Sequence, residues 1–162
     1  VFAYLFLQLP VSPAPISAQT LGVMLAGLIL KPGLAALSQT LYILLGALGL
    51  PVFSSGSSGI GVIIGPRGGY LWGFIIGAYI TATIIERIEK YKKPAPFLAF
   101  SCASFIGGII IVYIIGILQM SIIMRLPLKS AFLVGVLPFI PGDLLKVIVA
   151  SLIAMRVRYT MY

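Results

Sequence analysis

The chain has no histidine, one cysteine and three acidic residues among 162. Without histidine, His-bearing zinc and haem sites and imidazole general-base chemistry are excluded. The lone Cys102 excludes a disulfide within one chain, and its apolar, small-residue surroundings make it read as a small buried hydrophobe. Charge of either sign is scarce: 9% of residues are Asp, Glu, Lys or Arg, against roughly 25% in soluble domains. Such a chain cannot cover its own surface with solvated groups. Apolar residues make up 60% of it and the mean hydropathy is +1.17. This is the composition of an all-α integral membrane protein, a single transmembrane domain over residues 1–162 with room for about six spans of ~20 residues.

Nucleotide chemistry is missing as well. There is no G-x-x-x-x-G-K-[ST] loop, and Gly59-Ile-Gly61-Val-Ile-Ile-Gly65 misses the G-x-G-x-x-G spacing by one and opens no βαβ unit. Uphill transport would therefore draw its energy from a partner subunit or an ion gradient. No cofactor is expected. The net charge of +8 does not point to nucleic acid. The cations sit at the ends of apolar runs, where they meet lipid headgroups and set orientation, and no basic-and-aromatic stretch for base stacking is present.

Apolar runs and their breakers lay out the spans. Val1–Leu9 is a nine-residue stub, too short at ~14 Å to cross, and reads as a truncated first helix whose true N-terminus lies upstream. A signal peptide is the rival reading, but the basic n-region is missing. Pro10, Pro13 and Pro15 make the next stretch a loop. A second span runs from about Thr20 to Leu30, short enough to begin inside the membrane below that loop, and stops at Lys31-Pro32-Gly33. The third covers Leu34–Leu50, where Gly46 and Gly49 admit a close neighbouring helix. Pro51–Gly69 holds six glycines and four serines and reads as a functional loop whose backbone can approach a ligand. The fourth span is Tyr70 to about Ile85 and the fifth Phe97 to about Leu118, with Gly107-Gly108 suited to tight helix packing. Between them Glu86–Pro96 reads as a solvated loop, and Gln119–Lys129 as another. Ser130–Phe139, broken by Pro138 and Pro141, reads as a half-helix, with the last span running from near Gly142 to Met155.

That last start carries the one acid outside the Glu86–Glu89 region. Asp143 and Lys146 stand three residues apart in apolar sequence. An ionisable pair at that depth is costly unless it faces a protein cavity. A first-turn acid is also favoured by the helix dipole and free N–H groups, and the two roles are compatible. Alternating spans put Lys31, Arg87, Lys90, Lys92, Lys93, Arg156 and Arg158 on one side and Arg67, Arg125 and Lys129 on the other, seven cations against three. The bias places the seven, with the C-terminus, in the cytoplasm, and the Pro-rich loop, the Gly/Ser loop and Asp143 at the outer face of a cell membrane.

Asp143 can accept from N–H donors, and Lys146 on the same helix face can donate to a carbonyl. Gln19 adds an amide. Arg67 could meet a carboxylate, with a lipid headgroup as the alternative; Tyr70 and Phe53 offer rings to an apolar body, or belong with Trp72 to the interfacial aromatic belt. The set suits a small molecule with N–H donors, a carbonyl, an apolar ring and an acid tail.

The segments PISAQTLGVMLAGLIL, LYILLGALGLPVF, GPRGGYLWGF and PFIPGDLLK resemble, in matching order, the BioY family, the biotin-specific substrate-binding (S) components of energy-coupling factor (ECF) transporters. Gln19-Thr20-Leu21, Gly65-Pro66-x-Gly68-Gly69-Tyr70 and Pro141-Gly142-Asp143-Leu144-x-Lys146 carry the likeness together. The resemblance implies a six-helix transmembrane bundle and a pocket near the outer face, closed by the loops between helices 1–2, 3–4 and 5–6. It implies biotin as ligand and Gln19, Phe53, Arg67, Gly69, Tyr70, Asp143 and Lys146 as site residues. Asp143 would take the ureido N–H groups, Lys146 the ureido carbonyl, and Arg67 or loop amides the valerate carboxylate. The implied partners are a transmembrane coupling (T) subunit and two cytoplasmic ATP-binding-cassette ATPases. One departure stands out: S components share an Ala-x-x-x-Ala pattern on helix 1 for docking the coupling subunit, and here Ala3 is followed at i+4 by Leu7. A self-sufficient ion-coupled or facilitative carrier would call for more intramembrane charges or a clear internal repeat. A membrane enzyme would need a nucleophile–base set or a metal cluster; the chain has neither pattern.

Overall fold

The structure, a computed structural model, describes residues 6–7, 16–91 and 95–161. It opens with a two-residue antiparallel pair, β1 (Phe6–Leu7) on β2 (Ile16–Ser17). Helices α1 (Gln19–Ile29) and α2 (Pro32–Ala47) follow. Pro32 can open α2 because a first-turn residue has no intrahelical use for its N–H. A 3-10 turn at Ser54–Gly56 and the short α3 (Ile60–Ile64) lead into α4 (Gly68–Glu89). α5 (Phe97–Phe105) continues through a π-helical stretch, Ile106–Ile111, into α6 (Val112–Met124), so that Phe97–Met124 forms one 28-residue helix. α7 (Leu128–Gly135) and α8 (Ile140–Met161) are bent from one another by 58°. The break carries Pro138, which keeps the residue before it out of helix, while Pro141 is tolerated in the first turn of α8.

Among the described residues, six helical columns have eight residues or more: α1, α2, α4, Phe97–Met124, α7 and α8. Gly68–Glu89 and Phe97–Met124 are each long and apolar enough to cross a bilayer, and the bent α7–α8 pair passes as a third span. α1, with 11 residues, reaches only ~16 Å, about half the thickness of a bilayer core. α4 is the central column, in contact with α1, α2, α5, the π stretch and α6. Small residues let these columns close. Gly77 and Gly107 face one another across α4 and the π stretch, Thr81 donates to the Ala103 carbonyl at 3.2 Å, and Gly108 lies on Met24 of α1. Leu34, Leu37, Leu41, Leu44 and Leu45 of α2, with Leu48 just past its end, are exposed, the face that the bilayer covers.

Several expectations need correction. Phe6 and Leu7 of the apolar stub are extended, not helical, their backbone paired with Ile16–Ser17; the rest of Val1–Leu9 lies outside the described residues, as does Ala3 of the docking pattern. α4 runs past Ile85 to Glu89, and Glu89 is buried rather than solvated. Gln119 belongs to α6, which ends only where Arg125 turns to φ 52°. The clearance at Gly46 admits the Phe53 ring, not a helix. Cys102 is exposed: α5 buries Phe100, Ala103 and Ser104 on another face, and lipid suits a thiol as well as a core does.

Candidate functional site

The two ends of the bundle are chemically distinct. At one, Arg158 of α8 forms an ion pair with Glu89 of α4, and its Nε donates to the Leu28 carbonyl of α1 at 2.7 Å. The junctions after α1 and α4 and the end of α8 therefore share an end, as alternating spans require. At the other end lies a cavity of about 600 Å³, counting its open mouth.

The polar wall of that cavity is built on the first turns of α8. Helix periodicity sets Asp143 and Lys146 on one face, and Lys146 Nζ stands 2.6 Å from Asp143 Oδ1. The first-turn position of Asp143 is as expected, but its carboxylate does not cap its own helix. Oδ1 also accepts from Thr20 of α1 at 3.0 Å, and Oδ2 accepts from the Tyr113 hydroxyl of α6. Lys146 spends its remaining hydrogens on the Ser17 carbonyl at 2.5 Å and Thr20 Oγ1 at 3.0 Å. The pair is thus withdrawn from lipid, with side-chain exposures of 16% for Lys146 and 3% for Asp143. Each charge has the hydrogen-bond partners that burial demands.

The remaining wall is largely aromatic and apolar. Tyr70 stands edge-on to Tyr113 with centroids 6.4 Å apart, and Phe53 edge-on to Tyr42 at 5.7 Å. Phe74, Leu71, Val62 and Phe139 complete this surface. Tyr70 is fixed by donating to the Gly135 carbonyl at 2.8 Å, with its ring against Gly116, where a Cβ would come within 2.5 Å of it. Arg67, at the N-cap of α4, lines the cavity half-buried; among the described residues its guanidinium has no hydrogen-bond or ion-pair partner.

Six of the seven expected residues line this cavity together: Gln19, Phe53, Arg67, Tyr70, Asp143 and Lys146. Gly69 does not; it is buried where α4 crosses α6, a Cβ there falling 2.9 Å from the Gly116 Cα. Phe53 is buried at 1%, which removes it from an interfacial belt, whereas Trp72 is exposed. Gln19 lines the wall, but its amide is already engaged. Its oxygen accepts from Ser17 and Ser54, and its nitrogen donates to Tyr42, which in turn donates to the Val52 carbonyl. Gln19 thus ties the segment before α1 to the Gly/Ser loop. Thr20 and Tyr113 were missed as site residues. The signal for Tyr113 is a phenol in the middle of an apolar span, whose hydroxyl must find a partner there.

The full chain, residues 1–162, matches the BioY family. The biotin transporter BioY of Rhizobium etli is 39% identical over 147 residues, covering 90% of this chain and 78% of its own. The biotin transporter BioY of Thermotoga maritima is 35% identical over 153 residues, 94% of this chain and 86% of its own. In three dimensions the chain is similar to the S-component for biotin from an ECF-type ABC transporter, with a TM-score of 0.89 and 26% identity over 98% of this chain and 83% of that one. By sequence over its whole length and by fold, the chain belongs to the BioY family.

Proposed function

We propose that this protein is the biotin-binding S component of an ECF-type uptake transporter, a transport subunit and not an enzyme. The observation that carries the reading is the buried Asp143–Lys146 pair, cross-braced by Thr20 and Tyr113 and facing a ring-lined cavity. Such a site suits a flat, apolar bicycle with a polar ureido edge. The ureido N–H groups go to Asp143, whose Oδ2 has one protein donor and room for another. The ureido carbonyl goes to Lys146, in exchange for one of its present acceptors. Tyr70, Phe53 and Phe74 enclose the rings, and the valerate carboxylate goes to Arg67, a cation at the wall with no competing acid among the described residues.

The relatives carry the name biotin transporter, and the similar structure is that of an S-component for biotin. On this reading the cavity opens outward and the Glu89–Arg158 end with the C-terminus is cytoplasmic, in keeping with the seven-to-three cation bias. A transmembrane coupling subunit and two ATP-binding-cassette ATPases supply the energy that this chain has no motif to provide. Equilibrium binding of tritiated biotin to the purified protein tests the reading, with Arg67→Ala and Asp143→Asn alongside. Saturable binding that both changes weaken supports it; no binding by the wild type, or binding indifferent to both, refutes it.

A further inference from the structure

Arg67 presents an unpaired guanidinium to the cavity from the chain reversal between α3 and α4. No partner of its own side chain fixes it among the described residues, so its position depends on the backbone that carries it. That backbone is held from α6. Gln119 Nε2 donates to the Ile63 carbonyl at 2.9 Å and to the Gly65 carbonyl at 2.8 Å, using both amide hydrogens. These carbonyls end a five-residue helix and have no helical acceptor role left to fill. Gly65 also accepts from the Gly68 N–H at 3.0 Å.

The fit leaves no slack. A Cβ on Gly68 would stand 2.6 Å from Gln119 Nε2, and one on Gly69 would stand 2.8 Å from Gln119 Cβ and 2.5 Å from the Ile115 carbonyl. Arg67 therefore sits between Gly65, which Gln119 pins, and Gly68, which is pressed onto Gln119. Pro66, with its fixed φ, makes the link stiff. We propose that Gln119 is a positioning residue for Arg67, setting the height at which the guanidinium meets the anionic end of the ligand. This rests on the reading that Arg67 receives the biotin carboxylate.

The test is binding of biotin and of biotinamide, in which the carboxylate is a neutral amide, to the purified full chain. The variants are Gln119→Leu, Gln119→Glu, Arg67→Ala and the Gln119→Leu/Arg67→Ala double. Leu removes both donors, and Glu keeps the length but offers acceptors to carbonyls. Both Gln119 variants are expected to weaken biotin about tenfold and to leave biotinamide within about twofold. The double variant should be no weaker than Arg67→Ala alone, since residues acting through one another are not additive. Equal weakening of both ligands, additive effects with Arg67→Ala, or unfolding of both Gln119 variants in a thermal melt would make Gln119 a general structural residue and overturn the proposal. If Arg67→Ala itself does not distinguish the two ligands, the carboxylate reading fails first and this inference with it.

Discussion

Replacing Asp143 by asparagine keeps the shape of the side chain and removes its charge. The asparagine oxygen can hold the place of Oδ1, 2.6 Å from Lys146 Nζ and 3.0 Å from Thr20 Oγ1. Its amide nitrogen then faces the Tyr113 hydroxyl, which must turn from donor to acceptor. What cannot be recovered is the countercharge. At an effective dielectric of about 20 the gross attraction at this separation is roughly 6 kcal/mol. Breaking one side of a buried pair leaves about 3–5 kcal/mol of it as net destabilisation, and residual exposure at Lys146 draws the figure toward the lower end. The ligand loses a charged acceptor as well, worth about 1.5–3 kcal/mol. Asp143→Asn should therefore weaken biotin by at least ~2 kcal/mol, about 30-fold in Kd. Tritiated-biotin titration reads the affinity, and thermal unfolding with and without saturating biotin separates stability from binding. The Asp143→Leu/Lys146→Met double variant removes both charges and should melt near or above the single variant while binding no biotin. A Kd for Asp143→Asn within about threefold of wild type, with an unchanged melting temperature, would refute the reasoning, because a carboxylate that matters to neither fold nor ligand cannot be the centre of this site.

Tyr113→Phe removes the hydroxyl that donates to Asp143 Oδ2 while keeping the ring against Tyr70; biotin titration should show a loss of about 10- to 150-fold, from about 1.5–3 kcal/mol for one hydrogen bond to a charged group, with the fold intact. Gln19→Leu unties Ser17, Ser54 and Tyr42 from one another, so stopped-flow binding should show dissociation faster by about tenfold and association little changed. Arg158→Ala removes the cation paired with the buried Glu89 carboxylate at the far end of the bundle; thermal unfolding should register a loss of about 3 kcal/mol, the lower end for breaking a buried pair, while biotin affinity stays within about threefold. Equal affinity losses from Arg158→Ala and Tyr113→Phe would show that the two ends are not independent.

The fold was legible where breakers are strong. Lys31-Pro32-Gly33 and Pro138–Pro141 mark helix breaks that the structure places within a residue or two of them, because proline and glycine act locally. Helix ends without such markers were missed by up to six residues, as at Met124, since a lipid-spanning helix continues for as long as nothing stops it. Asp143 and Lys146 were legible because an i,i+3 pair needs no tertiary knowledge to be placed face to face. Thr20 and Tyr113 complete the same cluster from 123 and 30 residues away, and no spacing rule reaches that far. Hydropathy was equally silent on Cys102, because bundle core and lipid are alike to an apolar side chain.

Glu89 is the more instructive error. Its neighbours Glu86, Arg87 and Lys90 are exposed, and their charges make the whole stretch look solvated. Yet Thr81, Ile85 and Glu89 recur at intervals of four, and the first two lie fully buried on α4. Continuing the helical period by one more turn puts the carboxylate on the same inward face, so the signal was present once the helix was allowed to run on. The rule that an acid among apolar residues must have a partner applies to this face just as it does to Asp143. With 11 cations in the chain and Arg158 near its end, the partner could have been sought on the last helix. Both buried acids of the described chain are matched by cations of α8, so this one helix joins the cavity at its start to the closed end at its finish. A displacement of α8 against α1 and α4 would have to strain one pair or the other, which is why the Arg158 and Asp143 variants together probe whether the bundle holds its two ends with separate ties.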